Sequence, residues 1–538
     1  MIRGQLRQNR QFVWPALIVL MGAFLRFYMI GSKTLWLDEA FSIWVAHQPL
    51  VESWAWLIRI DQHPPLYYGL LHFWQTLFGD GQGIVRALSA LCSSLTIAFF
   101  YGSCQRWFDE RTALIASFVL AVAPLHIRYA QETRMYALLT LGVAVTLYFL
   151  ACILFDGVRS HTRVQWTGLA IAQAAVMLTH NTATLFFPLA LNLGIGGALL
   201  WKYTQGGVSS LPALNEISFE RHWVRSQLLA LILWLPWSIP LMIQANAVDR
   251  QFWIQPPTFG AVVDVLHSLN FAFLPDWLSL FHLWDALYWG LAAFGIYQLR
   301  RTPARVLLLL SLCLTPMLGE LLVSLRRPIF AEHTLLWITL PYYMLLAVGI
   351  RGLSRKLNLP LASKFESSPS GEIRGNPSES SRRLWTRENG AQSIALLLVL
   401  GLSLLSLSNY YIYFQKEEWA KAADYVAQNA APGDLILFNA TWTQLPFEYY
   451  FRRYRTDIEL HGLPVDLFDR GVIEPKMTEA DLPAMRNLVQ NHKRVWLIYS
   501  HDWYTDPNKL IPSTLNKTMH QTEQNNFVGL QILRFEAR

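Results

Sequence analysis

The chain has 538 residues, 53% of them apolar and 15% charged, with 22 tryptophans and a formal net charge of +7. Those proportions exclude an ordinary soluble globule and describe a chain solvated largely by lipid. The positive balance is no nucleic-acid signature, because the basic residues gather in short loops between apolar runs.

Arg3, Arg7 and Arg10 precede the first apolar run, residues 12–30, which lacks a small-residue cleavage site. It is expected to stay in place as a membrane helix with the N-terminus in the cytoplasm. Further runs at 84–104, 113–125, 135–155, 166–179, 184–201, 227–243, 281–299, 306–323, 333–350 and 394–414 give about eleven crossings. Alternation then puts 105–112, 156–165, 202–226, 300–305 and 351–393 on the cytoplasmic side, and all of them carry basic residues. The long loop 244–280, on the other face, has only Arg250. This asymmetry follows the positive-inside tendency.

The stretch 64–78 is short for a span, and counting it as one would turn every later basic loop outward. It reads as an amphipathic helix at the outer interface, opened by Pro64 and Pro65. The first outer loop, 31–83, is then a structured floor resting on the membrane. Cys92, Cys104, Cys152 and Cys313 all fall in apolar segments without metal-ligand spacing, and read as small buried hydrophobes.

Residues 355–391 are rich in Ser, Pro, Gly and charge, so the segment 351–393 reads as a flexible cytoplasmic linker. From 415 to 538 the composition turns soluble. WAKAADYVAQNAAPGD, LPFEYYFRRY and DLPAMRNLVQNHK read as helices, and LILFNA and RVWLIYS as buried strands. That alternation suggests a small α/β domain on the outer face, following a membrane domain of residues 1–414. It contains no GxGxxG or P-loop, so nothing supports nucleotide binding.

Charged residues on the outer side are few and therefore informative. Asp38 and Glu39 lie in LWLDEAFSIW at the mouth of the first crossing, and Asp61 and His63 in DQHPPLYY. HIRYAQETRMY sets Arg128, Glu132, Arg134 and Tyr136 at the junction of the third and fourth crossings. Arg26 and Arg86 sit inside runs near their outer ends, and Arg326, Arg327 and His333 flank a later outer junction. The bland reading is that these cations pair with Asp38, Glu39 and Glu132 to hold helices together. As a set they suit an anionic phosphate at the bilayer surface, since guanidinium groups bind phosphate bidentately. A carboxylate facing such a rim fits group transfer from a lipid phosphate: it takes the acceptor's proton while cations stabilise the departing phosphate.

LWLDEAFS, DQHPPLYYGLLHFW, GIVRALSAL and YAQETRMYALL, in this order, resemble the GT-C glycosyltransferases of the family 39 group. That group contains protein O-mannosyltransferases and lipid A aminoarabinose transferases. The likeness covers roughly the first 200 residues, while RRPIFAEHTLLW and the tail look like bacterial members with an outer C-terminal domain. It implies a polytopic helical fold with membrane-lying helices in the first outer loop. It also implies transfer of a sugar, a hexose or pentose, from a polyprenyl-phosphate carrier to an extracytoplasmic protein, lipid or glycan hydroxyl, with inversion. The location implied is the plasma (inner) membrane.

Carried over residue by residue, the catalytic acid falls on Asp38 with Glu39 beside it, and a second acidic site on Glu132. Asp61 and His63 match the family's residues before the Pro-Pro helix, and the outer-side residues Arg86, Arg128, Arg134, Tyr136, Arg326, Arg327 and His333 are read with them as the substrate-binding set. A divalent cation held by Asp38, Glu132 and nearby histidines is compatible with the residue types, although no ligand spacing is diagnostic. One departure concerns the donor: many bacterial relatives have an Arg-Tyr pair where this chain has His333 and Thr334. The alternative class, a transporter or lipid flippase, calls for midplane charges on broken helices and repeat-related halves. The sequence shows no internal repeat.

Overall fold

A computed structural model describes residues 2–61, 63–156, 163–204, 209–248, 257–278, 281–356, 390–467 and 475–538. The linker expected at 351–393 therefore lies largely outside the described residues, as does Arg250.

The chain is a multi-pass membrane protein. Helix α1 (Ile2–Phe27) leads into three short helices, α2 (Leu37–His47), α3 (Leu50–Arg59) and α4 (Leu66–Phe78), which form the loop 31–83. Next come α5 (Gln82–Trp107), α6 (Glu110–Val122), α7 (Pro124–Ala130), α8 (Tyr136–Phe155), α9 (Arg163–Met177) and α10 (Asn181–Thr204). The helical part continues with α11 (Phe219–Trp234), α12 (Ser238–Val248), α13 (Phe259–Phe271), α14 (Phe281–Gln298), α15 (Pro303–Val323) and α16 (Thr339–Lys356), then the last long helix, Gly390–Ile412.

Among the described residues, seven helices are long and apolar enough to cross a membrane, and the bent pair α6–α7 makes eight if counted as one span. The expected eleven is thus not reproduced by length and composition. Helices do form at the other three expected places, but each falls short for a visible reason. The apolar part of α1 is the shorter stretch Phe12–Phe27, α9 has 15 residues, and His282 and Asp285 dilute the apolarity of α14.

Local chemistry sets the breaks. Asp109 accepts a hydrogen bond from the Thr112 N–H (2.8 Å) and starts α6. Pro124 ends it, because proline lacks the N–H that the helix would next use, and the pair bends by 57°. Arg26, buried in α1, donates to the carbonyls of Leu120 (3.1 Å) and Ala121 (3.0 Å) at this break. Its Nε also donates to Ser93 (2.7 Å), so its partners are structural. Helices α14 and α16 approach backbone to backbone: a Cβ on Gly295 would lie 2.0 Å from the Leu345 carbonyl. Small residues at such a crossing permit close packing where lipid supplies no hydrophobic drive.

After Ile412 a five-stranded sheet forms in the order β2-β1-β3-β5-β4, from β1 (Leu435–Phe438), β2 (Glu459–Gly462), β3 (Arg494–Tyr499), β4 (Met519–Phe527) and β5 (Leu530–Ala537). Strands β2, β1 and β3 run parallel, while β3–β5 and β5–β4 are antiparallel. Helices Trp419–Asn429, Gln444–Phe451 and Leu482–Val489 stand where their apolar spacing predicts. The sheet is seated on the loop 31–83: the Tyr450 hydroxyl accepts from the Leu35 N–H (2.8 Å) and donates to Gln82 (2.5 Å), and Tyr449 donates to the Asp80 carbonyl (2.8 Å).

Candidate active site

Neighbours in sequence, Asp38 and Glu39 occupy opposite environments because successive residues of a helix point about 100° apart. Both lie in the first turn of α2, where carboxylates favour the helix N-terminus. Glu39 is fully buried. Its two oxygens accept from Arg86 Nε and Nη2, each at 2.8 Å, from Lys416 Nζ (2.8 Å) and from the Thr133 N–H (2.9 Å). Burial alone would raise this carboxyl, but Arg86 and Lys416 outweigh it and hold it well below the usual range. Arg86 completes the hub by donating to the carbonyls of Ile30 (3.1 Å), Lys33 (2.6 Å) and Thr34 (2.9 Å). All five of its N–H donors are thereby engaged within the protein.

Asp38, by contrast, has a side chain 43% exposed, with Arg134 Nε 3.9 Å away. That is too long for a hydrogen bond. Arg134 is buried between α7 and α8; its Nη1 donates to Ser42 and Tyr68, both at 3.3 Å, and its Nε has no hydrogen-bond partner. A buried guanidinium donor left open is costly, so an arrangement that leaves one open is suited to an incoming acceptor. The Tyr68 hydroxyl donates to Asp61 (2.5 Å), whose other oxygen meets His63 Nδ1 at 2.8 Å. Burial would raise the Asp61 carboxyl, but His63, Arg134 and the Tyr68 hydroxyl bring it down to about 2.

A third group lies beside these. Arg128 in α7 meets Glu332 (3.1 Å) and Glu132 (3.5 Å), and Lys416 reaches the same Glu132 oxygen at 3.5 Å. The other oxygen of Glu132 is buried without a hydrogen-bond partner. His333 packs against Tyr136 (ring centroids 4.8 Å) and Tyr129 (6.3 Å). Burial pushes its imidazole down to about 4, with Arg128 and Arg134 adding to the effect and Glu332 opposing it. His180, just before α10, has its ring 5.0 Å from His63 and 5.9 Å from Tyr136. The Thr182 backbone N–H donates to its Nδ1 at 3.2 Å, so in the neutral ring Nε2 carries the proton. Burial, and then the charges of His63, His333 and Arg134, push it well below the usual histidine range.

The structure thus brings Asp38, Glu39, Asp61, His63, Arg86, Arg128, Glu132, Arg134, Tyr136 and His333 into one connected region. Arg326 is exposed and Arg327 half-buried in the turn after α15, where Ser324 accepts from the backbone of Ile329 and Phe330 (both 2.9 Å). Among the described residues, no group of three or more His, Cys, Asp or Glu is arranged to hold a metal ion.

Sequence reasoning missed Lys416, Glu332, His180, Tyr68 and Ser42. Lys416 lies in QKEEW, where charge reads as the start of a soluble segment. Glu320 was more legible, because it interrupts an apolar run; it is buried and accepts from the Thr334 hydroxyl (2.6 Å).

A family model described as dolichyl-phosphate-mannose-protein mannosyltransferase matches residues 62–239. Undecaprenyl phosphate-alpha-4-amino-4-deoxy-L-arabinose arabinosyl transferase 2 of Pseudomonas fluorescens is 26% identical over 248 residues, 44% of this chain. The match spans 39% of that relative's length. ArnT from Cupriavidus metallidurans, solved in the apo state and bound to undecaprenyl phosphate, superposes with a TM-score of 0.60 at 14% identity over 97% of this chain. The match covers 97% of the apo chain and 98% of the bound one. The archaeal oligosaccharyltransferase AglB from Archaeoglobus fulgidus, in complex with an inhibitory peptide and a dolichol-phosphate, gives 0.56 at 11% identity, over 95% of this chain and 73% of its own. The chain has the GT-C fold and resembles glycosyltransferases that use polyprenyl-phosphate sugars.

Proposed function

We propose that the protein is an integral-membrane glycosyltransferase that moves a hexosyl or pentosyl group from a polyprenyl-phosphate carrier to an acceptor hydroxyl outside the cytoplasm. The observation that carries this reading is the contrast between an exposed, loosely held Asp38 and a buried Arg134 whose Nε faces it at 3.9 Å without a hydrogen-bond partner. Solved relatives named for undecaprenyl phosphate and dolichol-phosphate ligands support the donor class.

In this mechanism Asp38 takes the proton from the acceptor hydroxyl as its oxygen attacks the anomeric carbon. The bond from that carbon to the phosphate oxygen breaks, and the phosphate leaves towards Arg134, whose planar fork matches it. Attack from the face opposite the leaving group inverts the anomeric centre. His180 Nε2–H and Tyr136 flank the phosphate position, and Glu132 with Arg128 borders it. Glu39 and Arg86 hold α2 in place, because their bonding capacity is filled within the protein. The site and the sheet unit face away from the cytoplasm, with the N-terminus on the cytoplasmic side of the plasma (inner) membrane, as the basic loops favour.

Purified protein in lipid vesicles, given radiolabelled undecaprenyl-phosphate sugars, should release undecaprenyl phosphate and place label on an acceptor. Failure of every labelled donor both to react and to bind would refute the reading.

A further inference from the structure

Glu417 and His501 belong to no group described so far, yet the chain brings both to the rim of the site. Glu417 follows Lys416, the residue clamped to Glu39, and its carbonyl accepts from the Thr34 hydroxyl at 2.6 Å. That contact sets the Glu417 backbone just ahead of α2. Trp419 Nε1 donates to Oε2 at 2.6 Å, which leaves Oε1 facing His501 Nε2 across 3.7 Å. Burial raises this carboxyl, and among the charges acting on it is Asp38.

His501 comes from the far end of the sheet unit. It lies just beyond the carboxyl end of β3, with φ of 54°, in the left-handed region where histidine is uncommon. Asn439, just beyond β1, binds the Ser500 backbone on both sides: Nδ2 donates to the carbonyl (2.7 Å) and Oδ1 accepts from the N–H (2.8 Å). The chain leaves β1 for β2 on one side and returns to β3 on the other, so these two strand ends form the switch point of the sheet. In open α/β sheets ligands bind outside the carboxyl ends of the strands at such a point.

Hydrogen bonding fixes the tautomer. The Gly529 carbonyl can only accept, so the Ser500 hydroxyl donates to it (2.8 Å) and accepts in turn from His501 Nδ1–H (2.9 Å). Neutral His501 then presents a bare Nε2. Two acceptors, this nitrogen and Glu417 Oε1, face each other beyond hydrogen-bond distance, and the Asp38 charge acts on the Glu417 carboxyl. Both side chains are partly open to solvent, His501 at 26% and Glu417 at 20%.

We propose that Glu417 and His501 form the acceptor subsite of the enzyme, and that it takes a hydroxyl-rich, saccharide-type acceptor. A wall made of acceptors selects a ligand with several donors: one hydroxyl reacts at Asp38 while its neighbours donate to Glu417 and His501. A phosphorylated acceptor is disfavoured there, because its oxygens meet acceptors of the same polarity. This rests on the glycosyl-transfer reading.

The test uses the full-length protein, labelled undecaprenyl-phosphate sugar, and octyl β-glucoside as the hydroxyl-rich probe. The variants are Glu417→Gln and His501→Asn, the latter chosen because asparagine tolerates the left-handed backbone. The KM for the glucoside should rise about tenfold in each, while the KM for the donor stays within about twofold. An unchanged glucoside KM in both variants would overturn the subsite while leaving glycosyl transfer intact. Label transfer to a serine-containing peptide but not to the glucoside would overturn the saccharide class. A wild-type protein that neither binds nor uses any polyprenyl-phosphate donor would overturn the underlying reading itself.

Discussion

Lys416 Nζ stands 2.8 Å from Glu39 Oε2, so the segment entering the sheet unit is tied to the first turn of α2 by a buried ion pair. The same ammonium reaches Glu132 at 3.5 Å. Breaking a buried pair costs roughly 3–5 kcal/mol, because an uncompensated charge is left in low dielectric. Glu39→Gln leaves Arg86 with no carboxylate and Lys416 with only Glu132 at 3.5 Å, whereas Lys416→Met leaves Glu39 with Arg86 and Glu132 with Arg128. Thermal unfolding in detergent should therefore show Glu39→Gln to be the more damaging change. The reverse order would mean that Lys416 has a larger role than bridging.

Asp38→Asn should abolish transfer while moving the unfolding temperature little, since the exchange is isosteric and the side chain is exposed. Activity retained within about tenfold, ~1.4 kcal/mol of barrier, would relocate the base, first to Glu132.

Arg134→Lys should already lower turnover, because an ammonium keeps the charge and loses the fork. Undecaprenyl phosphate should stabilise the wild type against heat, by linkage, and stabilise Arg134→Ala much less. An equal shift in both proteins would remove Arg134 from the phosphate.

His333 gives a pH dependence with a defined sign. Its pKa is near 6.5 in an unfolded chain and about 4 in the fold. Between these values the unfolded state binds the proton first, so stability is full above about 6.5 and falls as pH drops towards 4. The unfolding temperature should decline between pH 7.5 and 5 in the wild type and decline less in His333→Gln. Parallel declines would show that another group titrates there.

Single cysteines at Tyr454, exposed in the sheet unit, and at Arg300, exposed after α14, should label from opposite sides of the membrane. Labelling of both by an impermeant reagent in intact cells would reverse the proposed topology of one of them.

Much of the architecture was legible because lipid imposes length and apolarity on each crossing, and because Asp38, Asp61 and Glu132 are conspicuous among apolar neighbours. The broken crossing was less so: in 113–130 only Pro124 signals the bend. In the sheet unit, β1 and β3 are continuous apolar runs and announce themselves. Strand β4, MHQTEQNNF, alternates between half-buried and exposed positions with almost no apolar residues, so its pairing with β5 comes from tertiary context. The roles of Glu39 and Arg86 were hidden for a different reason. A charged residue near lipid looks the same in sequence whether its partners are protein or substrate, and only the count of engaged donors distinguishes Arg86 from Arg134.

The contact of Arg26 with the carbonyls of Leu120 and Ala121 gives α1 a duty beyond anchoring the chain. A proline in a spanning helix releases backbone oxygens that hydrocarbon cannot solvate, and here a neighbouring helix stands in for water. The bend that carries α7, and with it Arg128, towards the reaction centre thus depends on a residue about a hundred positions earlier. Restoring a straight helix by Pro124→Ala would leave Arg26 with fewer oxygens to bind, so helix shape and buried cation are expected to change together or not at all.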